Sequence, residues 1–313
     1  MKKLAAALLT SAIAFAAIPA QAGEIAVIVK TVNSTFWQNV QKGADAAMKE
    51  AGGSDTMTFQ GPAAESAIAD QVNMVENAVN RGVSGIVLAP SDPDALVPAV
   101  KKAWEARIPV VIIDSMLAEG SEQYYQSFLA TDNKKAGELA AQALIEKVGT
   151  EGKIAVMSYV AGAGSEIGRV GGFTDYIKAN SKLEIVGPFY SQSQMATALN
   201  QTTDVLAANS DLKGIFGANE PTAIGMGRAL KQSGKAGQVV AIGFDGNQDL
   251  QEFVKDGTLA GIAVQGSFQM GELGIQTVKK VMNKEKVEKF VDTGVVVVTK
   301  DNIDKPEAKN VLY

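Results

Sequence analysis

The feature that most constrains this fold is an alternation, almost from end to end, of short β-branched runs with amphipathic helical patterns. The runs are nearly all apolar, as parallel strands are when helices cover both faces of their sheet. This order of elements predicts an α/β fold with doubly wound, Rossmann-like parallel sheets. The runs are 25–30, 85–90, 109–114, 153–160, 183–190, 214–219, 239–246, 259–266 and 295–300.

The alternation falls into two series, which predicts two lobes. The first series ends near residues 128–131, and the second starts with KIAVMSYV at 153–160. Further elements after residue 259 predict that the chain passes between the lobes more than once. No low-complexity linker separates the series, which favours lobes joined by several short segments and able to close around a ligand.

The first 22 residues have the pattern of a secretory signal peptide. Lys2 and Lys3 precede an apolar, Ala-rich run from Leu4 to Ile18, and an A-x-A cleavage sequence follows at 20–22. The apolar run is shorter than the roughly 20 residues that span a bilayer. We therefore expect the segment to be removed and the mature chain to begin at Gly23 in the periplasm.

Composition excludes several classes of site. The chain has no Cys and no His, so disulfides, zinc sites built on these residues and His-dependent triads are excluded. Removing Lys2 and Lys3 leaves 27 basic against 34 acidic residues, a formal charge of −7. This balance disfavours nucleic acid and anionic membranes as partners. We expect neither a cofactor nor a metal.

Hydrogen-bonding side chains stand at the ends of several predicted strands, where α/β proteins bind ligands. A single Asp after a strand is more often a helix cap or turn residue. Here, however, such side chains recur in both predicted lobes, at Lys30, Asp114, Asn219, Asp245 and Gln265. Carboxylate, amide and cationic groups together suit a polyhydroxylated ligand, whose hydroxyls both donate and accept.

Two further segments bear on the site. Phe36 and Trp37 follow the first strand and offer flat apolar surfaces to the C–H face of a sugar, although ordinary core packing is the alternative. The stretch 162–165 resembles part of a phosphate loop but completes no such motif, which favours a flexible turn. Arg169 is predicted near a helix start, which is unfavourable for a cation, so we expect it to have an acidic or hydroxyl partner.

Together these segments resemble the periplasmic sugar-binding proteins of ABC importers, of the ribose, allose and galactose type. The resemblance implies chain crossings near Phe128, Gln265 and Asp292. It implies an N-terminal lobe of 23–128 plus 266–292 and a C-terminal lobe of 129–265 plus 293–313, joined by a three-segment hinge. It also implies a monomer that delivers its ligand to a membrane permease. The pieces that carry it are KTVNSTFW (30–37), PVVIID (109–114), FLATDN (128–133), GRVGGF (168–173), GANE (217–220), GFDG (243–246) and AVQG (263–266).

By this resemblance the ligand would lie between the lobes. Three positions depart from the family: Ser34 replaces a frequent Asn, Ser115 an Arg or Glu, and Ser193 a stacking aromatic. Phe189 or Tyr190 is a candidate replacement for that aromatic, and a ligand other than ribose is predicted, either another monosaccharide or a sugar alcohol. The predicted ligand-binding residues are Lys30, Ser34, Phe36, Trp37, Asp114, Ser115, Arg169, Asn219, Asp245 and Gln265.

Other functions remain possible for these residues. A sugar-active enzyme with a carboxylate pair does not require His. A ligand-responsive repressor shares the two-lobed fold, but it needs an N-terminal DNA-binding helix pair where this chain has the predicted signal. A chemoreceptor-coupled sensor is compatible with transport. The preferred prediction is a non-catalytic receptor.

Overall fold

A computed structural model describes residues 22–313 of the protein. These residues form twelve β-strands and ten α-helices in two α/β lobes, each built on a six-stranded sheet. The predicted fold class is therefore confirmed. Residues 1–21 of the predicted signal peptide lie outside the described residues. Within 22–313, no helix has the length and apolar character needed to cross a bilayer.

The N-terminal lobe has a wholly parallel sheet. Its strands are β1 (Glu24–Ile28), β2 (Thr56–Gln60), β3 (Gly85–Leu88), β4 (Val110–Ile113), β5 (Ser127–Ala130) and β11 (Phe290–Asp292). They lie in the order β11-β5-β4-β3-β1-β2. The helices packed on this sheet are α1 (Thr35–Ala51), α2 (Ile68–Arg81), α3 (Val97–Glu105) and α9 (Ser267–Met282).

The C-terminal lobe repeats this order with one change. Its strands are β6 (Glu151–Ser158), β7 (Lys182–Tyr190), β8 (Leu212–Gly217), β9 (Val240–Phe244), β10 (Gly261–Gln265) and β12 (Val295–Val298). They lie in the order β12-β10-β9-β8-β6-β7, but β12 runs antiparallel to β10. The helices are α4 (Asn133–Val148), α5 (Gly164–Asn180), α6 (Met195–Ala208), α7 (Glu220–Gln232), α8 (Gln248–Asp256) and α10 (Pro306–Lys309).

Glycines allow one pair of helices in each lobe to pack closely. A Cβ on Gly43 of α1 would lie 1.9 Å from the carbonyl oxygen of Phe268 in α9. A Cβ on Gly137 of α4 would lie 2.0 Å from the carbonyl oxygen of Arg169 in α5. A side chain at either glycine would therefore push its pair apart. The second contact fixes the backbone of a predicted site residue.

The chain passes between the two sheets three times, always at the same edge. It leaves the first sheet after β5, returns after β10, and then moves from β11 to β12 through Thr293 and Gly294 alone. Strands β11 and β12 are the edge strands on this side, and β2 and β7 are the edge strands on the far side. The loops that follow the other strands therefore face each other across a cleft between the two lobes.

Candidate functional site

Side chains from both lobes enclose a small cavity in this cleft. Its volume is about 20 Å³, on the scale of a single water molecule. A larger ligand therefore requires the lobes or the side chains to move. Ser115 lies behind the wall, and the other nine predicted residues line the cavity: Lys30, Ser34, Phe36, Trp37, Asp114, Arg169, Asn219, Asp245 and Gln265.

An ion pair forms one wall in the N-terminal lobe. Lys30 Nζ lies 2.7 Å from Asp114 Oδ2, and both side chains are buried. Lys30 also donates to Ser115 Oγ at 2.6 Å and to Ser165 Oγ of the other lobe at 3.2 Å. Ser115 Oγ in turn donates to Asp114 at 2.7 Å. Buried charges that are paired and hydrogen-bonded in this way hold a fixed geometry.

Phe36 and Trp37 belong both to the core and to the site. Their rings meet edge to face with centroids 4.9 Å apart, and both are buried in the hydrophobic core of the N-terminal lobe. Each also lines the cavity. The indole N–H of Trp37 donates to Glu65 Oε1 at 2.9 Å, so this donor is already engaged within the protein.

Glu65 carries a hydrogen-bond chain across the cleft. Its Oε2 accepts from Ser193 Oγ at 2.6 Å, and Asn219 Nδ2 donates to the same hydroxyl at 2.9 Å. Neither Phe189 nor Tyr190 lines the cavity, so the predicted replacement of the aromatic at 193 by one of them is wrong. Phe189 does not reach the cavity because it packs against the hydrophobic core of its own lobe.

Tyr159, which directly follows β6, is the aromatic residue of the C-terminal lobe that lines the cavity. Its hydroxyl donates to Ser165 Oγ at 2.9 Å. Burial raises the pKa of this tyrosine above the ordinary value, so the group stays protonated and keeps its hydrogen to donate.

Arg169 forms the floor of the cavity. It donates to the carbonyl oxygen of Ala218 at 2.8 Å, to Asn133 Oδ1 at 2.8 and 3.1 Å, and to Gln265 Oε1 at 3.2 Å. Its guanidinium carbon lies 3.7 Å from the ring centroid of Phe244. The prediction of an acidic or hydroxyl partner within the protein is therefore wrong for the described residues: α5 begins five residues earlier, and carbonyl and amide oxygens accept the hydrogen bonds of the side chain.

Asp245 is the buried carboxylate of the C-terminal lobe. Its Oδ1 accepts from Gln265 Nε2 and its Oδ2 from the backbone N–H of Glu220, each at 2.9 Å. Burial raises the pKa of Asp245 to about 7, although the charge of Arg169 acts to lower it. This carboxylate remains a strong acceptor for a further donor.

Glu220 holds the two lobes together next to Asp245. Its carboxylate accepts from Thr35 Oγ1 at 2.7 Å and from the N–H of Phe36 at 3.3 Å, both at the start of α1. The hydroxyl of Tyr313 donates to it at 2.9 Å. Burial raises the pKa of Glu220, and these hydrogen bonds oppose the rise. A buried carboxylate of one lobe therefore binds the helix start of the other.

Five lining residues were not predicted: Glu65, Tyr159, Ser165, Glu220 and Pro221. Glu220 stands in the GANE segment beside a predicted residue, Ser165 is the last residue of the glycine-rich stretch 162–165, and Tyr159 lies three residues before that stretch. Glu65 follows β2. The alternation of polar and apolar residues in that strand, TMTFQ, is the sequence signal that could have located Glu65 at a strand end. Within residues 22–313, no three acidic side chains are grouped so as to hold a metal ion.

Comparison with known proteins identifies the family. A family model described as a periplasmic binding protein domain matches residues 25–286. The chain belongs to the periplasmic binding protein family. The ribose import binding protein RbsB of Escherichia coli (strain K12) is 32% identical over 294 residues, which cover 92% of this chain and 95% of that protein. The D-allose-binding periplasmic protein of the same strain is 30% identical over 275 residues, covering 86% and 87%.

Solved structures of periplasmic binding proteins resemble the whole described chain. An ABC transporter solute-binding protein from Agrobacterium vitis with bound D-fucose is 84% identical, covers 93% of this chain and 100% of its own, and has a TM-score of 0.92. A carbohydrate transporter solute-binding protein from Agrobacterium radiobacter in complex with D-arabinose is 34% identical, covers 94% and 99%, and has a TM-score of 0.89. The predicted resemblance to the binding proteins of ABC importers is confirmed.

Proposed function

We propose that this protein is a periplasmic sugar receptor that closes its two lobes around a monosaccharide and delivers it to an ABC permease. The observation that carries the proposal is the pair of carboxylates, Asp114 and Asp245, that face one cavity from opposite lobes. Around them stand cationic, amide and aromatic groups. The family and its sugar-bound relatives support the same conclusion.

The chemistry of the cavity suits ring hydroxyls. Each hydroxyl can donate to Asp114 or Asp245 and accept from Arg169 or Asn219. Lys30 can donate to a hydroxyl once it gives up one of its three present hydrogen bonds. Such charge-assisted bonds are about twice as strong as neutral ones, and burial strengthens them further. The aromatic rings provide flat apolar surface for the C–H faces of the sugar.

We propose D-fucose as one ligand. The 84% identity to the Agrobacterium vitis protein supports this choice. D-fucose carries a methyl group where galactose has CH₂OH, and burying such a group against the aromatic wall contributes about 0.8 kcal/mol. The prediction against ribose stays in place.

Hydrogen bonds between the lobes provide the means of closure. Lys30 with Ser165, Glu65 with Ser193 and Thr35 with Glu220 each join the two lobes. These bonds require the lobes to be close, so a ligand that contacts both lobes shifts the equilibrium toward the closed form. We propose that the closed form is the one that docks on the permease.

The lobe boundaries, the oligomeric state and the localisation complete the proposal. We assign 23–128 with 266–292 to the N-terminal lobe and 129–265 with 293–313 to the C-terminal lobe, which sheet membership supports to within two residues at β5. We also propose a monomer without catalytic activity, secreted to the periplasm by its signal peptide. One chain supplies both walls of the cavity, and the family is one of binding proteins.

A ligand screen tests the proposal. Unfolded and refolded protein, freed of any co-purified sugar, is heated with D-fucose, D-galactose, D-ribose, D-allose and xylitol in turn. A ligand at 1,000 times its Kd adds about 4 kcal/mol to the free energy of unfolding, and we expect this shift for D-fucose. No shift with any of these compounds would overturn the sugar receptor. Consumption of a bound sugar, followed by NMR, would instead favour the enzyme.

A further inference from the structure

A second, larger cavity lies between the lobes beside the sugar cavity. Its volume is about 360 Å³, within the range of about 300–1,000 Å³ found for small-molecule sites. We call it the vestibule. Parts of 31–35 and 63–65 line it from the N-terminal lobe, and parts of 193–195, 220–224 and 247–249 line it from the other lobe.

The two cavities share part of their lining. Ser34, Glu65, Glu220 and Pro221 line both of them, so these four residues lie between the sugar cavity and the vestibule. Ser34 is small and half-buried. Ser193, also small and half-buried, lines the vestibule and closes the wall through its hydrogen bond to Glu65. Little movement is therefore needed to join the cavities.

The hydrogen bond that closes this wall can be replaced by bonds to a ligand. Ser193 Oγ donates a hydrogen bond to Glu65 Oε2 at 2.6 Å. An ether oxygen between the two cavities can accept this hydrogen bond instead, since an ether oxygen accepts hydrogen bonds and has no hydrogen to donate. A neighbouring ring hydroxyl can then donate to Glu65 in place of the serine. A glycosidic link therefore leaves both groups hydrogen-bonded.

The lining of the vestibule selects for neutral, hydroxylated groups. Among the described residues no Lys or Arg lines it, whereas Glu65, Glu220 and Asp249 do. An anionic substituent such as a phosphate or a uronic acid would meet like charges there. The side-chain amide of Gln194 lines the vestibule and makes no hydrogen bond within residues 22–313, so it can bind a hydroxyl.

The vestibule also lies where a substituent has room to extend. Its lining includes loops that follow β2 and β7, the edge strands far from the three chain crossings. Asn33, Thr35 and Gln194 are exposed, so the vestibule reaches solvent. A substituent placed there does not collide with the hinge.

We propose that the vestibule is a second subsite, which holds the substituent of a neutral glycoside whose sugar occupies the inner cavity. The substituent is a small alkyl, glyceryl or sugar unit attached through the anomeric oxygen. This inference rests on the proposed function and widens the ligand class from free monosaccharides to glycosides.

Calorimetry with D-fucose and its two methyl glycosides tests the subsite. The proposal places the anomeric carbon at the wall, where only one of the two anomers directs its substituent into the vestibule. We therefore expect one methyl D-fucopyranoside to bind within about tenfold of D-fucose and the other anomer to bind at least about 100-fold more weakly. If D-fucose binds but both glycosides are at least 100-fold weaker, the subsite is wrong while the sugar receptor stands. If D-fucose itself does not bind, the proposed ligand fails first.

A matched pair of variants tests the location. Ala64→Trp places a large ring in the vestibule, because Ala64 lines it but not the sugar cavity. We expect the accepted glycoside to bind at least about tenfold more weakly and D-fucose to change by less than about threefold. Ala69→Trp makes the same change at an exposed position of α2 and should affect neither ligand. An unchanged glycoside affinity in Ala64→Trp, or an equal loss for both ligands, overturns the subsite.

Discussion

The two lobes share one strand order but hold their cavity carboxylates differently. Asp114 follows β4 and Asp245 follows β9, and these strands occupy the same place in the two sheets. Both residues have left-handed backbone angles, with φ of 64° and 77°. Asp114 lies 2.7 Å from Lys30, whereas Asp245 accepts from two uncharged N–H groups. Equivalent backbone positions therefore place two carboxylates in different electrostatic environments.

This difference suggests different roles for the lobes. The N-terminal lobe pairs the charge of Asp114 internally and presents a surface that is complete before a ligand arrives. The C-terminal lobe leaves Asp245 with a pKa raised to about 7 by burial. A sugar hydroxyl that donates to Asp245 stabilises the charged form of this carboxylate. The hydrogen bonds within the lobe stabilise that form only in part. Ligand binding should therefore depend most on the C-terminal lobe.

The largest expected effect is on sugar affinity. Asp245→Ala removes two hydrogen bonds that a charged acceptor can make to the ligand, worth about 1.5–3 kcal/mol each, so we expect Kd to rise between about 150-fold and about 25,000-fold. Calorimetry with D-fucose measures the change. Asp256→Ala, at an exposed carboxylate of the same lobe, is the control and should leave Kd unchanged. Unchanged affinity in Asp245→Ala would contradict the site assignment.

The next effect separates the carboxylates by stability. Asp114→Ala leaves the ammonium group of Lys30 buried without its partner, which should lower the free energy of unfolding by about 3–5 kcal/mol. Asp245→Asn removes no ion pair and should cost far less. Urea unfolding of the ligand-free variants measures both values. The double variant Lys30→Met with Asp114→Leu should recover most of the loss, and equal losses at Asp114 and Asp245 would break the comparison.

A third test uses pH. Folded Asp245 keeps its proton up to about pH 7, whereas the unfolded chain releases it near 3.8. The folded state therefore binds more protons between these values, and the free energy of unfolding falls as pH rises from 4 to 7, by at most about 4 kcal/mol from this group. Urea unfolding at several pH values should show a smaller fall for Asp245→Asn than for the unchanged protein. Identical slopes would argue against a protonated Asp245.

The smallest effect concerns the contact between the lobes at Glu220. Thr35→Val removes one donor to that buried carboxylate, which should weaken sugar binding by about 1–2 kcal/mol, or roughly 5-fold to 30-fold. The bond forms only when the lobes are close, so the dissociation rate should rise while the association rate stays nearly constant. Stopped-flow fluorescence measures both rates, with Thr203→Val at an exposed position of α6 as the control. A slower association with unchanged dissociation would assign Thr35 a different role.

Much of the fold could be predicted because parallel strands buried on both faces give continuous apolar runs. Strand β2 was missed because it is an edge strand that alternates polar and apolar residues, and β11 because it has only three residues. Helix α4 has a weak signal in the sequence, because its buried face consists of Ala and Gly with the single larger residue Leu144 and contrasts weakly with its polar face. Strand β5 was treated as the first crossing, although it completes four residues of sheet before the chain leaves.

The site residues likewise fall into those that the sequence predicted and those that it missed. Side chains that follow predicted strands were found, because the strand end itself marks their position. Glu65 was missed together with β2, the strand before it. Glu220 stood beside a predicted residue, but its reach to Thr35 depends on how the lobes face each other, which no local pattern encodes. The partners of Arg169 were mispredicted because they are set by the ends of β8 and β10, far along the chain.

The link between β11 and β12 determines how the molecule can open. Three peptide units join Asp292 to Val295, so their Cα atoms stay within about 11 Å whatever the lobes do. The sheets cannot separate at this edge, so the lobes must open by rotating about a hinge axis that lies along it. The β2 and β7 edge then moves farthest. A sugar arrives from that side, and the part of it next to Glu65 and Ser193 is the last to be covered.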